Sequence, residues 1–260
     1  MKVLVLPNAE RAAIRAAGLV ADALAARDRP VLGLATGSTM EQVYADLVAR
    51  HRAGALSFAN TTTFNLDEYV GLSPDHPQSY RQTMEKLLFS HVDVDPSACH
   101  LPRGDAPDPH AEAERYEAAI AFDGGIDLQL LGIGQNGHIG FNEPTSSLGA
   151  RTRIKTLTRS TREANARFFD RPDDVPRYAI TMGIATILNA RHAVLLAIGS
   201  SKATAIARMV EGPLGADCPA TALQMHPKAT VIVDRDAAAE LRMIDYYQEI
   251  HPDGEEPNLG

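Results

Sequence analysis

The chain has 260 residues, 45% hydrophobic and 22% charged, which is the balance of an ordinary soluble globular protein able to bury a large core. Its formal net charge of -8 offers no general attraction to nucleic acid or to an anionic membrane, so any phosphate has to be held locally. Cys99 and Cys218 form neither a disulfide framework nor a paired zinc spacing, residues 3–6 are too short for a signal peptide, and no run approaches the roughly 18 apolar residues of a membrane span, so a cytoplasmic protein is expected.

Residues 2–6 predict a first strand and 9–26, alanine-rich with apolar residues at helical spacing, the helix after it. Pro30 opens a second buried strand over 31–35, which runs straight into Thr36-Gly37-Ser38-Thr39. Ser38 or Thr39 is the expected N-cap of a helix reaching about His51, with Glu41 placed to complete a capping box with Ser38. The tetrapeptide reads either as a plain capped turn or as an anion site, because free backbone N–H groups, two hydroxyls and a helix N-terminus all favour a phosphate.

A third strand over 61–66 ends at Asp67-Glu68. Two adjacent carboxylates there are either a solvated loop or, for Asp67, a base held over the sheet's edge. A turn-rich loop over 73–77 leads to a helix over 78–89. The irregular connection over 91–109 holds four prolines but no low-complexity spacer, and helical patterning resumes at Ala111, so no domain boundary is expected.

Residues 126–131, IDLQLL, predict a strand buried in a parallel sheet. In open α/β sheets ligands bind beyond the carboxyl ends of the strands, which places Asn136, His138 and Glu143 of LGIGQNGHIGFNEP where chemistry would sit. Gly132, Gly134 and Gly137 also spell G-x-G-x-x-G. A dinucleotide site needs a helix opening at the third glycine and an acid about 20 residues on, whereas this chain has Gly140 and Pro144, then Lys155 and Arg159. The glycines instead let a tight turn pass close to a small ligand.

Residues 151–157 alternate at period two, which puts Arg151, Arg153 and Lys155 on one strand face, either solvated or a second anion site. A helix over 161–169 carries Arg162 and Arg167, and 171–176 is a charged, proline-flanked loop of an expected mobile lid at about 158–180. A helix over 181–189 and a buried strand over 193–198 follow, ending at Gly199-Ser200-Ser201-Lys202, a second anion-binding turn with a full positive charge. A strand over 230–233 and a helix over 241–250 close the chain. This alternation predicts an α/β fold: a three-layer, doubly wound, mostly parallel Rossmann-like sheet in one domain over 1–260, with a small lid segment.

The strings TFNLDEYVGL, LGIGQNGHIGFNEP, RTRIKTLT, ANARFFD and LQMHPKA closely resemble the glucosamine-6-phosphate deaminase (glucosamine/galactosamine-6-phosphate isomerase) family over nearly the whole chain. The resemblance implies an isomerising and deaminating hydrolase of N-acetylglucosamine catabolism. It would convert glucosamine 6-phosphate to fructose 6-phosphate and ammonia without metal or organic cofactor. His138 is then the ring-opening acid and base, oriented by Asn136 and Glu143, and Asp67 the base that moves a proton from C2 to C1. Thr36, Gly37, Ser38, Arg167 and Lys202 match the family's phosphate site. An ordinary histidine, with a pKa of about 6.5, suits ring opening, whereas an ordinary aspartate near 3.9 is a weak base unless desolvated.

Asn136 stands where many family members carry aspartate. An amide orients an imidazole but supplies no negative charge, so ring opening should lean more on Glu143. Some members are hexamers activated by N-acetylglucosamine 6-phosphate between subunits. Ser146, Arg153, Lys155 and Thr156 match that site, although Tyr246 and Tyr247 lie out of register with the family's C-terminal tyrosine. A homo-oligomer is therefore expected, with no nucleic-acid or membrane partner. The rival enzyme is a 6-phosphogluconolactonase-like hydrolase, which needs no C2-to-C1 proton shuttle and which TFNLDEYVGL disfavours. A non-catalytic sugar-phosphate sensor would need an added DNA-binding module, and the first strand at Lys2 leaves no room for one.

Overall fold

The computed structural model describes residues 1–166, 169, 171 and 174–255. Short runs rich in branched aliphatics form most strands of its core, and most strands lead into a helix. β1 (Lys2–Leu6) leads to α1 (Ala9–Ala25), whose first turn is capped by the Asn8 side chain accepting from the Arg11 N–H. β2 (Val31–Leu34) leads to α2 (Ser38–Arg52), and β3 (Thr62–Asn65) to β4 (Asp67–Tyr69) and α3 (Tyr80–Leu87). β5 (Cys99–His100) lies within the proline-rich connection, and α4 (Pro109–Phe122) starts at Pro109, capped by Asp108. Then come β6 (Leu128–Leu131), β7 (Arg153–Thr156), α5 (Arg159–Asn165), β8 (Tyr178–Thr181), α6 (Ile184–Leu188), β9 (His192–Ala197), α7 (Ala203–Glu211), β10 (Ala229–Asp234) and α8 (Ile244–Ile250).

Seven strands form one sheet in the order β1-β10-β9-β6-β2-β3-β5, and every pairing in it is parallel. The chain moves outward from β2 to β3 on one side and from β6 to β9 on the other, so the crevice beyond β2 and β6 is the switch point of the winding. The two strands approach closely there because Gly33 faces Gln129. A Cβ on Gly33 would lie 2.0 Å from the Gln129 Oε1.

A second, antiparallel sheet, in the order β4-β8-β7, was not foreseen. At Leu66 the chain leaves the large sheet: the Leu66 N–H donates to the Leu34 carbonyl, while its own carbonyl accepts from Met182 in the small one. Asp67 therefore opens a strand rather than ending one in a loop. The expected helix over 181–189 is corrected likewise: Thr181 ends β8, and the helix begins only at Ile184. The expected capping box at Ser38 is also absent. Ser38 is the first helical residue, and the cap position is Gly37, at φ 124° with no side-chain hydrogen bond. Within 158–180, the described residues include α5 and the start of β8. No helix among the described residues is long and apolar enough to cross a membrane.

Candidate active site

Beyond β6 the chain folds into a compact turn, with the Gly134 N–H donating to the His138 carbonyl and the Gly137 N–H to the Gly134 carbonyl, both at 2.9 Å. A Cβ on Gly134 would lie 2.1 Å from the His138 Cε1, so the missing side chain is what lets the imidazole lie across the turn. Gly137 takes a left-handed φ of 84° and abuts Cys218.

Asn136 joins His138 to Glu143. Its Oδ1 accepts from the His138 N–H at 3.2 Å and lies 2.7 Å from Nδ1, while its Nδ2 donates to the Glu143 Oε2 at 2.8 Å. The donation to a carboxylate fixes which end of the amide is oxygen, and an amide oxygen only accepts, so Nδ1 carries a proton and, in the neutral imidazole, Nε2 is the acceptor. The Glu143 carboxylate is also 3.6 Å from Nδ1. Burial pushes the Glu143 carboxyl up. The nearby His138 imidazole and the hydrogen bonds from Thr161 and Asn136 outweigh that and hold its pKa at about 2.

Asp67 and Glu68 are not a solvated pair; both are buried. Glu68 accepts the N–H groups of Tyr69, Tyr80 and Arg81 at 2.9, 3.0 and 3.0 Å, at the start of α3. Asp67 has its pKa pushed up to about 8, first by burial and then by the Glu68 charge, against a smaller opposing effect of the Thr181 hydroxyl. Its carboxylate reaches the histidine loop at Gly140, where φ is 57° and an added Cβ would be 3.3 Å from the Asp67 Oδ2.

A cavity of about 690 Å³ at the switch point is lined by Thr36, Gly37, Ser38 and Thr39 on one side, Asp67 and Tyr80 on another, Asn136 and His138 on a third, and Thr161 and Lys202. It thus unites most of the residues singled out in the sequence. Because Gly37 provides no side-chain cap, the N–H groups of Ser38 and Thr39 at the start of α2 can meet an anion, while that of Met40 donates to the Gly37 carbonyl at 2.9 Å. The Lys202 Nζ donates to the Ile133 carbonyl at 2.7 Å, and burial lowers its pKa. Arg167 lies outside the described residues.

Ser146, Arg153, Lys155 and Thr156 do not line this cavity. Ser146 is buried beside Glu143, donating its N–H to the Glu143 carbonyl at 3.0 Å, while its hydroxyl has no partner among the described residues. The Arg153 Nη1 donates to the Asn142 Oδ1 at 2.8 Å; burial and then the Arg153 charge depress the Lys155 ammonium; Thr156 is exposed. Arg151 departs from the expected three-residue face: it precedes β7 and pairs with Glu117 at 3.4 Å. Sequence reading missed Glu68, Tyr80, Thr161 and Thr181. Thr158 and Thr161 carry a local signal as a helix cap, but nothing local shows that Thr161 reaches Glu143. No group of three or more His, Cys, Asp or Glu among the described residues could hold a metal ion.

Residues 8–232 match the family described as glucosamine-6-phosphate isomerases/6-phosphogluconolactonase. The chain is 54% identical over 248 residues to a glucosamine-6-phosphate deaminase of Hahella chejuensis, covering 95% of each chain. It is 51% identical over 255 residues to a glucosamine-6-phosphate deaminase of Shewanella loihica, covering 98% of this chain and 95% of the relative. Among solved structures, a monomeric glucosamine-6-phosphate deaminase is similar at a TM-score of 0.90 and 48% identity, over 92% of this chain and 100% of that one.

Proposed function

This chain belongs to the family of glucosamine-6-phosphate isomerases and 6-phosphogluconolactonases, and from that premise we propose that it converts glucosamine 6-phosphate to fructose 6-phosphate and ammonia. The observation that carries this reading is that Asp67 and His138, 71 positions apart in sequence, line one cavity beside the uncapped start of α2 and Lys202.

The phosphate sits on the backbone of Thr36, Gly37 and Ser38 with Lys202, and with Arg167 as its expected further partner. The free Nε2 of His138 takes the proton of the anomeric hydroxyl, the C1–O5 bond breaks, and the imidazolium returns a proton to O5. Glu143 stabilises that cation, directly and through Asn136. In the open chain C2 lies next to an aldehyde. Asp67 removes the C2 proton to give an enolamine and delivers it to C1. Burial makes Asp67 a far stronger base than a free aspartate, provided it is ionised. Water then adds to the ketimine and ammonia leaves, so the net reaction is an isomerisation with hydrolytic deamination. Lactone hydrolysis needs a base to activate water but no carrier of a proton from C2 to C1.

The finer parts of the reading have separate supports. A second anion at Ser146, Arg153, Lys155 and Thr156 fits the unpartnered buried hydroxyl and the two half-buried cations, and N-acetylglucosamine 6-phosphate is the activator it implies. A homo-oligomer, hexameric where that site lies between subunits, goes with it. Residues 158–180 act as a lid on one domain over 1–260: Thr161 lines the cavity and Phe169 stacks edge-on to Tyr69 at 6.0 Å. A cytoplasmic location suits a phosphorylated sugar. The test is an ammonia-release assay with glucosamine 6-phosphate, repeated with the acetylated sugar phosphate and accompanied by sedimentation. Equimolar fructose 6-phosphate and ammonia are expected. Hydrolysis of 6-phosphogluconolactone without ammonia release from the amino sugar would overturn the assignment.

A further inference from the structure

The two oxygens of Glu143 face different parts of the molecule. Oε2 takes the Asn136 amide, whereas Oε1 takes the Thr161 hydroxyl in a short hydrogen bond and lies 3.4 Å from the Thr158 hydroxyl. Both threonines belong to the N-terminus of α5. Thr158 caps that helix, its oxygen accepting the Thr161 N–H at 3.2 Å, and its hydroxyl donates to the Thr161 oxygen at 3.0 Å. Thr161 thus donates to Glu143, while the Thr158 hydroxyl, with one proton to give, faces both the Thr161 oxygen and, at a longer distance, the Glu143 Oε1.

We propose that Thr161 is a positioning residue for ring opening: its hydroxyl, delivered by α5, fixes the Glu143 carboxylate that orients Asn136 and, through it, the His138 imidazole. The inference rests on reading His138 as the ring-opening acid and base. Glu143 is buried, so an Oε1 deprived of the Thr161 hydroxyl keeps, among the described residues, only the longer 3.4 Å contact with Thr158 and has little water to replace what it loses. A carboxylate free to turn loosens the amide, and a loosened amide no longer dictates which imidazole nitrogen is protonated. Among the described residues, the charged or titratable groups facing Glu143 are His138 on its own loop and Lys155 on β7, while the N-terminus of α5 contributes the hydroxyls of Thr158 and Thr161. Seating of α5 thereby becomes a condition for the productive tautomer.

Thr161→Val in the full chain is expected to lower kcat for ammonia release about tenfold while KM for glucosamine 6-phosphate stays within about twofold. Thr161→Ser, which keeps the hydroxyl, should restore kcat. In the unliganded proteins the imidazole 15N spectrum of His138 should show the Nδ1–H tautomer in the wild type and a mixture in Thr161→Val. If the valine variant does not fold, Thr161→Ala carries the same expectations. An unchanged kcat, a serine variant as slow as the valine one, or a pure Nδ1–H signature in a slow variant would each overturn the proposal. Absence of ammonia release by the wild type would sink the reading of the site instead, and the tautomer comparison would still decide the role of Thr161.

Discussion

The His138 Nδ1 lies 2.7 Å from the Asn136 Oδ1, an oxygen that can only accept, so the neutral amide rather than a carboxylate sets the imidazole tautomer. Asn136→Asp would place a second carboxyl beside Glu143, where the amide nitrogen is now 2.8 Å from Oε2. Two carboxylates so close cannot both ionise freely, and the pair should retain a proton well above pH 2. The kcat profile between pH 5 and 9 is therefore expected to gain an ionisation that the wild type lacks. Superimposable profiles would show that the relay does not depend on the amide.

Asp67 gives a pH dependence of definite sign. It must be ionised to act as a base, so kcat/KM, which reports the free enzyme, should climb as pH rises through about 8. The same shift bears on stability. The folded pKa lies above the ordinary 3.8, so the folded chain holds a proton that the unfolded chain has already released, and stability falls as pH rises from about 4 through about 8. Asp67→Asn should lose C2 proton exchange with solvent and keep phosphate-dependent binding. It should melt several degrees above the wild type at pH 8.5 but within about a degree of it at pH 4. Normal exchange in this variant would remove Asp67 from the mechanism.

Gly134→Ala tests the turn without replacing a polar group. The added methyl would meet His138 ring atoms at 2.1 to 2.4 Å, and the side chain is the part able to move. Deamination should fall by about 100-fold, since misplacing a reacting group by an ångström costs that much, with little change in melting temperature. Retained activity would mean that the imidazole has another productive position.

Lys202→Met addresses the phosphate. KM for glucosamine 6-phosphate should rise at least about tenfold, whereas turnover of unphosphorylated glucosamine at saturating levels should change less than about twofold. Equal effects on both substrates would place the Lys202 Nζ in a purely structural role, on the Ile133 carbonyl to which it donates.

Six of the seven strands of the large sheet were legible, most of them as continuous apolar runs closed by turn residues, since parallel sheets bury both faces, whereas β5 fell inside the stretch expected to be irregular. The glycine-histidine turn and the Gly199–Lys202 turn could be read for the same reason: their chemistry is local. The small sheet was not. Tyr178–Thr181 continues into an apolar stretch that matches a helix, and what makes it a strand is its pairing with Asp67–Tyr69, more than 100 residues earlier. The burial that raises the basicity of Asp67 depends on that pairing, and so was equally invisible. Gly37 was misjudged because a hydroxyl beside a helix start normally caps it. Only the φ of 124° reveals a bare N-terminus.

Asp67, Thr181 and Arg153 occupy one rung across the small sheet, since Asp67 and Arg153 both register with Thr181. His138, by contrast, hangs from the large sheet. The gap between the two proton carriers is thus a distance between two ladders, joined at Leu66 and Met182 and through the histidine loop, where the Phe141 N–H donates to the Thr181 hydroxyl at 3.0 Å and Arg153 to the Asn142 Oδ1. A tilt of one ladder against the other would retune both proton transfers while leaving every bond inside either ladder intact.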